Sequence, residues 1–137
     1  SIWLRCDRNG RATVTTLPPG AYTLLVIGRG AALLRVTVPT VEVPVQLQPA
    51  GRLVVMPPVE SGGGSWRVRV VAGGGVVVPV SPWANPGRSE WGTPGGNPLT
   101  LRLPAGGYVV EAIAPAGTAQ QHEAAVPPED TVTVVLE

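Results

Sequence analysis

The side chains that could carry acid–base, nucleophilic or metal chemistry are few and far apart in this sequence. His122 is the only histidine and Cys6 the only cysteine of the 137 residues. A Ser-His-Asp or Cys-His arrangement would have to use His122, yet the chain contains no nucleophile-elbow motif around a serine. One histidine and one distant cysteine also fall short of a closed zinc set. We therefore expect no enzymatic activity, no bound metal and no other cofactor.

The acidic residues form no recognisable site in the sequence. The run Asp7-Arg8-Asn9-Gly10 is similar to the start of a calcium loop. The later acidic ligands and the closing glutamate are missing, so we interpret the run as a tight turn. Glycoside hydrolysis would need two opposed carboxylates, and nothing marks such a pair. The available acids are Glu90, Glu111, Glu123, Glu129 and Asp130.

Trp83 and Trp91 are the residues with the clearest capacity for binding, and Asn85, Arg88 and Glu90 stand between them. Flat indole rings with hydrogen-bonding groups nearby can stack on sugars, or can anchor a protein interface, where Trp and Arg are enriched. The alternative is that both indoles fold back over a sheet, because tryptophan buries more area than any other residue available here. Both interpretations stay open from the sequence.

The composition indicates an all-β protein with an aliphatic core. Hydrophobic residues make up 44% of the chain, yet there is no Phe, and 16 Pro and 18 Gly separate short Val-rich runs. That spacing is typical of turns between strands. The net charge is +1 and no basic cluster occurs, so we expect neither nucleic acid nor an anionic membrane as partner. No apolar stretch approaches the roughly 20 residues that span a bilayer, so we expect no membrane insertion.

Alternation of apolar and polar residues predicts strands along the whole chain, and no window has a helical apolar stripe. Pro44 removes a ladder donor, so we expect an edge strand over 41–48. Trp3 and Trp66 lie in predicted strands, and we expect both to pack in the core, as we do Cys6. The predicted strands are 1–6, 11–17, 21–28, 31–38, 41–48, 51–56, 65–72, 75–80, 98–103, 107–114, 119–126 and 131–136.

The sequence contains an internal repeat. Leu17-Pro18-Pro19-Gly20-Ala21-Tyr22-Thr23-Leu24 aligns without a gap with Leu103-Pro104-Ala105-Gly106-Gly107-Tyr108-Val109-Val110, and the strands that follow also correspond. Two copies of one unit explain this match. With Pro49-Ala50-Gly51 as a short seam, we predict a first module over 1–50 and a second over 51–137, held close together.

The turn at Asp7-Arg8-Asn9-Gly10-Arg11, followed by the Leu-Pro-Pro-Gly-x-Tyr corner, resembles the signature of carboxypeptidase regulatory-like domains, which are transthyretin-like sandwiches of secreted and envelope proteins. The resemblance covers most of 1–48 and is weaker over 93–137. It implies two tandem transthyretin-like or Ig-like β-sandwich modules, with Tyr pointing into the sandwich and its hydroxyl bonding nearby backbone. The structural residues so implied are Asp7, Asn9, Gly10, Pro18, Gly20, Tyr22, Pro104, Gly106 and Tyr108.

The sequence departs from this family in two places. The family begins with another strand before the one predicted at 1–6, so the first module looks truncated at its N-terminus. Either upstream residues are absent, or a strand from another chain fills the open edge, which would allow self-assembly. The second module also holds a long inserted hairpin and loop at about 75–97, and loops of this length are often functional.

Together these features predict a non-catalytic structural or interaction module of a bacterial secreted or cell-surface protein, acting as a spacer or in adhesion or assembly. Its partners would be other domains of the same protein or cell-surface proteins. A second hypothesis is a carbohydrate-binding accessory module that uses Trp83 and Trp91 to bind polysaccharide. A third, which the family resemblance invites, is a regulatory appendage of a peptidase. Fold alone does not choose among them.

Overall fold

A computed structural model describes residues 7–13, 17–39, 42–58, 66–79, 91–93 and 98–137. Within these ranges the chain is all-β, as predicted, and contains no helix, hence none that could cross a membrane. The strands are β1 (Gly20–Ile27), β2 (Ala31–Val38), β3 (Ala50–Met56), β4 (Trp66–Ala72), β5 (Trp91–Thr93), β6 (Leu99–Pro104), β7 (Gly106–Ile113), β8 (Ala119–Val126) and β9 (Thr131–Val135).

Strands β3 to β9 form two sheets that share one core. One sheet is four-stranded, in the order β5-β4-β7-β8, and the other is three-stranded, in the order β6-β3-β9. Strand β3 pairs antiparallel with β6 and parallel with β9. Both sheets supply buried residues to the core, which is therefore β-sandwich-like.

The core is mainly aliphatic, in keeping with the absence of Phe, and Trp66 and Tyr108 add two aromatic rings to it. Alternation along each strand puts one face inside, so that Trp66, Val68 and Val70 of β4 are buried while Arg67 and Arg69 are exposed. Burying one such aliphatic side chain stabilises the fold by roughly 1.5–3 kcal/mol. The largest fully buried side chains are Leu53, Leu103, Leu136, Val55, Val68, Val70, Val78 and Val110.

The sequence repeat appears as two hairpins with equivalent register. In the β1–β2 hairpin, Gly20 is opposite Val38, and in the β7–β8 hairpin, Gly106 is opposite Val126. Both glycines have positive φ, 154° and 150°. The same corner therefore begins the same antiparallel hairpin in both units, although β7–β8 belongs to a sandwich and β1–β2 forms a two-stranded sheet.

The β1–β2 hairpin packs against the sandwich through side chains of both its strands. Leu25 and Leu33 lie against the buried core, and an Arg102 Nη2 donates to the Arg29 carbonyl oxygen over 2.7 Å. Ala31 and Gln48 exchange two backbone hydrogen bonds of 2.9 and 3.0 Å just before the chain enters β3. The chain just before β3 is thus held against the start of β2 by hydrogen bonds.

The predicted edge strand over 41–48 is wrong for its described part. Residues 42–47 form no strand, and only Gln48 makes an isolated bridge. The corresponding segment of the second unit, β9, is held by pairing with β3. The described residues of the first unit offer no equivalent of β3, and Pro44 withholds one ladder donor, so alternation alone does not make a strand there.

The inserted region also differs from expectation. Val77 forms an isolated bridge with Val71 instead of the predicted strand over 75–80, of which residue 80 is not described. Strand β5 lies at 91–93, where a loop was expected. The predicted strand 1–6 falls outside the described ranges. The predicted strand 11–17 is absent from its described residues, 11–13 and 17.

Candidate functional site

The predicted aromatic platform lies mostly beyond the part of the chain that the structure describes. Trp83, Asn85, Arg88 and Glu90 fall in the undescribed stretch, and Trp91 begins β5, where its backbone is paired opposite Val68 of β4. The platform therefore stays a prediction. The expectation for Trp66 is confirmed, since only 3% of this residue is exposed.

The Asp7 carboxylate organises a turn. Its Oδ1 accepts hydrogen bonds from the backbone N–H groups of Asn9, over 2.9 Å, and Arg11, over 3.0 Å. The Gly10 N–H donates to the Asp7 carbonyl oxygen, and Gly10 has a φ of 73°. One oxygen of the side chain is thus engaged inside the turn, which agrees with the turn interpretation of this motif.

Two tyrosine corners recur at equivalent positions. The Tyr22 hydroxyl donates to the Pro18 carbonyl oxygen and the Tyr108 hydroxyl to the Pro104 carbonyl oxygen, both over 2.7 Å. Tyr22 is half-buried, whereas Tyr108 is only 6% exposed. Burial raises the pKa of Tyr108 from 10.0 to about 12, because the charged phenolate is poorly solvated there. Both hydroxyls therefore stabilise the chain locally, by a hydrogen bond to the backbone of their own corner.

His122 lies half-buried on β8, where it joins a hydrogen-bond network with Gln120 and Glu137. Its Nε2 is 2.6 Å from the Gln120 Oε1, which also accepts from the Glu137 N–H over 3.1 Å. The Gln120 Nε2 donates to the Glu137 carbonyl oxygen over 2.9 Å. Since Oε1 can only accept, this network assigns the proton to His122 Nε2. The histidine therefore joins a side-chain link between β8 and the end of the described chain.

Elsewhere, the charged side chains of the described residues are dispersed. No three His, Cys, Asp or Glu side chains among them could hold a metal ion together. On the outer face of the four-stranded sheet, Arg69 Nε donates to Glu111 Oε2 over 2.8 Å. These two residues are cross-strand neighbours on β4 and β7. A surface pair of this kind contributes little to stability, about 0–1 kcal/mol.

Strand β9 is an outermost strand of the three-stranded sheet and pairs with β3 on one side. The Arg52 N–H donates to the Asp130 carbonyl oxygen and the Leu136 N–H to the Met56 carbonyl oxygen, both over 2.8 Å. Parallel pairing alternates along a strand, so Val132 and Val134 also turn their backbone groups towards β3. The N–H and C=O groups of Thr131, Thr133 and Val135 consequently point away from β3, towards the outer side of β9.

Side chains close both ends of this edge. The Thr131 N–H donates to the Asp130 Oδ1 over 2.8 Å. At the other end, the Gln120 carboxamide forms hydrogen bonds with both the N–H and the C=O of Glu137. Between these ends, no other described residue bonds the outward groups of Thr133 and Val135. We call the backbone from the Thr131 carbonyl to the Val135 carbonyl the open edge of β9.

An exposed apolar pair borders the open edge. Met56 and Val135 are register partners on β3 and β9, and they are 39% and 62% exposed. Both are on the outer face of the three-stranded sheet, beside exposed Thr133. The edge therefore combines backbone groups that no described residue bonds with apolar side chains, a combination that a strand from another polypeptide could cover.

Sequence reasoning expected an open edge at 1–6 and did not identify β9. The strand itself was predicted, and its run of Thr and Val without charge or proline is a signal of an unprotected edge. That signal becomes informative only when the sheet order is known, because the same pattern is ordinary in a central strand.

Comparison with known proteins gives a distant structural likeness. No protein family model matches the chain, and no curated protein matches it. Among solved structures, the Bacillus anthracis TIE protein is similar to 98% of this chain, at 16% sequence identity and a TM-score of 0.49. The chain spans 27% of the length of that protein's chain.

Proposed function

We propose that this chain is a non-catalytic structural and interaction module of a bacterial secreted or cell-surface protein, related in kind to carboxypeptidase regulatory-like domains. The supporting observation is how its described polar side chains are used. The Asp7 carboxylate accepts hydrogen bonds inside a turn, and the Tyr22 and Tyr108 hydroxyls each donate to the carbonyl oxygen four residues earlier. The Gln120 carboxamide links β8 to Glu137. Side chains engaged in this way stabilise a scaffold and leave binding to edges and loops.

The proposed partners are neighbouring domains of the same protein or proteins of the cell surface. The repeat supports a division into a unit over 1–50 and a unit over 51–137. The hydrogen-bonded seam at Gln48 would hold the two units in a fixed relation. Such a pair suits a spacer, because a spacer must keep its ends at a defined distance.

Carbohydrate binding is the second candidate. Trp91 begins β5, an outer strand of the four-stranded sheet, so its backbone is at a border of the sandwich. Trp83 and Trp91 together could present stacking surfaces for a sugar ring. Peptidase regulation would require a catalytic domain in the same gene, and the domain order of that gene would decide it.

A glycan array with the wild-type chain and a Trp83→Ala, Trp91→Ala double variant separates the first two candidates. The structural and interaction role predicts no sugar binding by the wild-type chain. A Trp83→Tyr, Trp91→Tyr variant serves as the matched control, because tyrosine keeps an aromatic stacking face. Sugar binding by wild type and control, lost in a double alanine variant that circular dichroism shows to be folded, would replace this proposal with the carbohydrate module.

A further inference from the structure

We propose that the open edge of β9 binds an extended segment of a partner polypeptide, which adds to the three-stranded sheet as a fourth strand and carries basic side chains at its ends. This inference rests on the proposed interaction role and identifies the surface and the partner chemistry. An added strand gains main-chain hydrogen bonds from the edge and specificity from its alternate side chains.

The hydrogen-bonding groups define a short docking site. The open edge offers the N–H and C=O groups of Thr133 and Val135 and the C=O of Thr131, while the flanking positions are closed by Asp130 and Gln120. A strand added here can therefore form a few main-chain hydrogen bonds, each with a net value of about 1 kcal/mol. Binding of this kind is weak unless side chains contribute as well.

The composition of β9 leaves this edge unprotected. Natural edge strands are usually blocked by charged residues, proline or bulges. Among the other outer strands of the sandwich, β8 contains His122 and Glu123, and β6 contains Arg102 and Pro104. By contrast, every residue of β9 is Thr or Val, all β-branched, and none is charged. Residues of this type favour a pleated strand and leave its edge available for pairing.

The charges around the edge favour a basic partner over a second copy of this chain. Glu129 and Asp130 precede β9, and Glu137 follows it; exposed Arg52, on β3 opposite Thr131, is one basic residue beside these three acidic ones. Antiparallel pairing of two copies about Thr133 would place Glu129 opposite Glu137 of the other copy, and like charges in that position are destabilising. A partner with Lys or Arg at both ends of its strand would instead meet acidic groups at both ends, and an apolar side chain could cover Met56 and Val135.

A synthetic peptide of alternating valine and threonine with lysine at each end tests this inference on the full chain. We expect binding by fluorescence anisotropy, with amide shifts centred on Thr133 and Val135. Thr133→Pro removes an outward N–H without removing a bond to β3, and proline is tolerated at such edge positions. It should weaken binding about tenfold, the equivalent of one hydrogen bond of about 1.4 kcal/mol.

Thr100→Pro is the matched control. Thr100 is exposed on β6, the opposite outer strand of the same sheet, and the pairing pattern turns its N–H away from β3. Affinity should stay unchanged in this variant. If either proline variant fails to fold, Thr133→Lys and Thr100→Lys make the same comparison, since a lysine at the edge repels the basic peptide and leaves the backbone intact.

Four results would overturn the inference. In the first, the wild-type chain does not bind the lysine peptide at a millimolar peptide concentration. In the second, the Thr133 and Thr100 variants lose the same amount of affinity for that peptide. A peptide with glutamate at each end could bind as tightly as the lysine peptide, which would remove the basic requirement. In the fourth, sedimentation shows that the wild-type chain is a dimer and that Thr133→Pro is a monomer, which would identify a second copy as the occupant of the edge. The structural and interaction role fails by sugar binding in the glycan test, so the two failures are distinguishable.

Discussion

Tyr108 and Tyr22 make the same hydrogen bond in different surroundings. Each hydroxyl donates to the carbonyl oxygen four residues earlier, over 2.7 Å. Tyr108 is almost fully buried in the second unit, and Tyr22 is half-buried in the first. A hydrogen bond that shields a buried carbonyl contributes more than an exposed one, because losing it leaves the oxygen unsatisfied. We therefore assign more of the stability of the fold to the second corner.

Alkaline unfolding should report Tyr108 directly. Its pKa is about 12 in the folded chain and 10.0 without burial. Because the folded state keeps the proton to higher pH, this contribution is complete below pH 10 and is lost as the pH rises to 12. Linkage predicts a loss of about 2 to 3 kcal/mol in the free energy of unfolding across that interval.

Urea unfolding of wild type, Tyr108→Phe and Tyr22→Phe at several pH values measures this effect. Tyr108→Phe should be less stable at pH 7 and should show a flatter profile between pH 10 and 12. Tyr22→Phe, the same change at the other corner, should keep the slope that Tyr108 produces. An unchanged slope in Tyr108→Phe would contradict the assignment.

At the scale of strands, Gly51 is the residue at which β3 packs closely against the turn between β8 and β9. The Glu129 N–H donates to the Ala50 carbonyl oxygen over 2.8 Å, and Glu129 has a φ of 58°, unusual for a residue other than glycine. A Cβ on Gly51 would overlap the Pro127 carbonyl oxygen and lie 2.8 Å from the Asp130 carbonyl oxygen. Backbone atoms cannot yield as a flexible side chain would, so this position requires glycine.

Gly51→Ala should therefore destabilise the chain by roughly 3 kcal/mol, since it disrupts the start of β3 and the turn that positions β9. Gly107→Ala is the matched control: it is also a strand glycine, but its Cβ would meet nothing within 4 Å. That control should be neutral or slightly stabilising, because alanine loses less backbone entropy. Thermal unfolding compares the two, and equal midpoints would show that the close approach at Gly51 is absent.

Most strands were predictable because their buried faces alternate with exposed ones. Strands β1 to β4 and β6 to β9 lie within about two residues of the expected positions, as in β8, where both bounds agree. Alternation misled at 42–47, where the apolar face has no partner sheet among the described residues. It also missed β5, whose short sequence Trp91-Gly92-Thr93 acquires its identity only by pairing with β4.

The tyrosine corners and the open edge of β9 differ in how far the sequence could predict them. The tyrosine corners were visible in the sequence because their motif is local, spanning Pro18 to Tyr22 and Pro104 to Tyr108. The open edge of β9 was not visible, because it depends on parallel pairing with β3 across more than 70 positions of sequence. Which strand is outermost is a property of the sheet order, and local alternation carries no information about it.

At the scale of the described molecule, strands β3 to β9 form the sandwich and the β1–β2 hairpin lies beside it. A two-stranded hairpin alone is marginally stable in water, so the contacts of Leu25 and Leu33 with the core support β1 and β2. The Arg102 bond to the Arg29 carbonyl and the bridge between Ala31 and Gln48 act in the same direction. The β9 edge is on the opposite border of the three-stranded sheet from β6, which contains Arg102.

The central claim is that a β-sandwich presents, at β9, an edge that no described residue pairs. Amide hydrogen exchange measured by NMR on the full wild-type chain tests this claim most directly. Amides bonded in the sheet exchange slowly, because exchange requires opening, and outward edge amides exchange quickly. We predict strong protection at Val132, Val134 and Leu136 and fast exchange at Thr133 and Val135. Equal protection along 132–136 would mean that the edge is already covered, and fast exchange at all five would mean that β9 does not pair with β3.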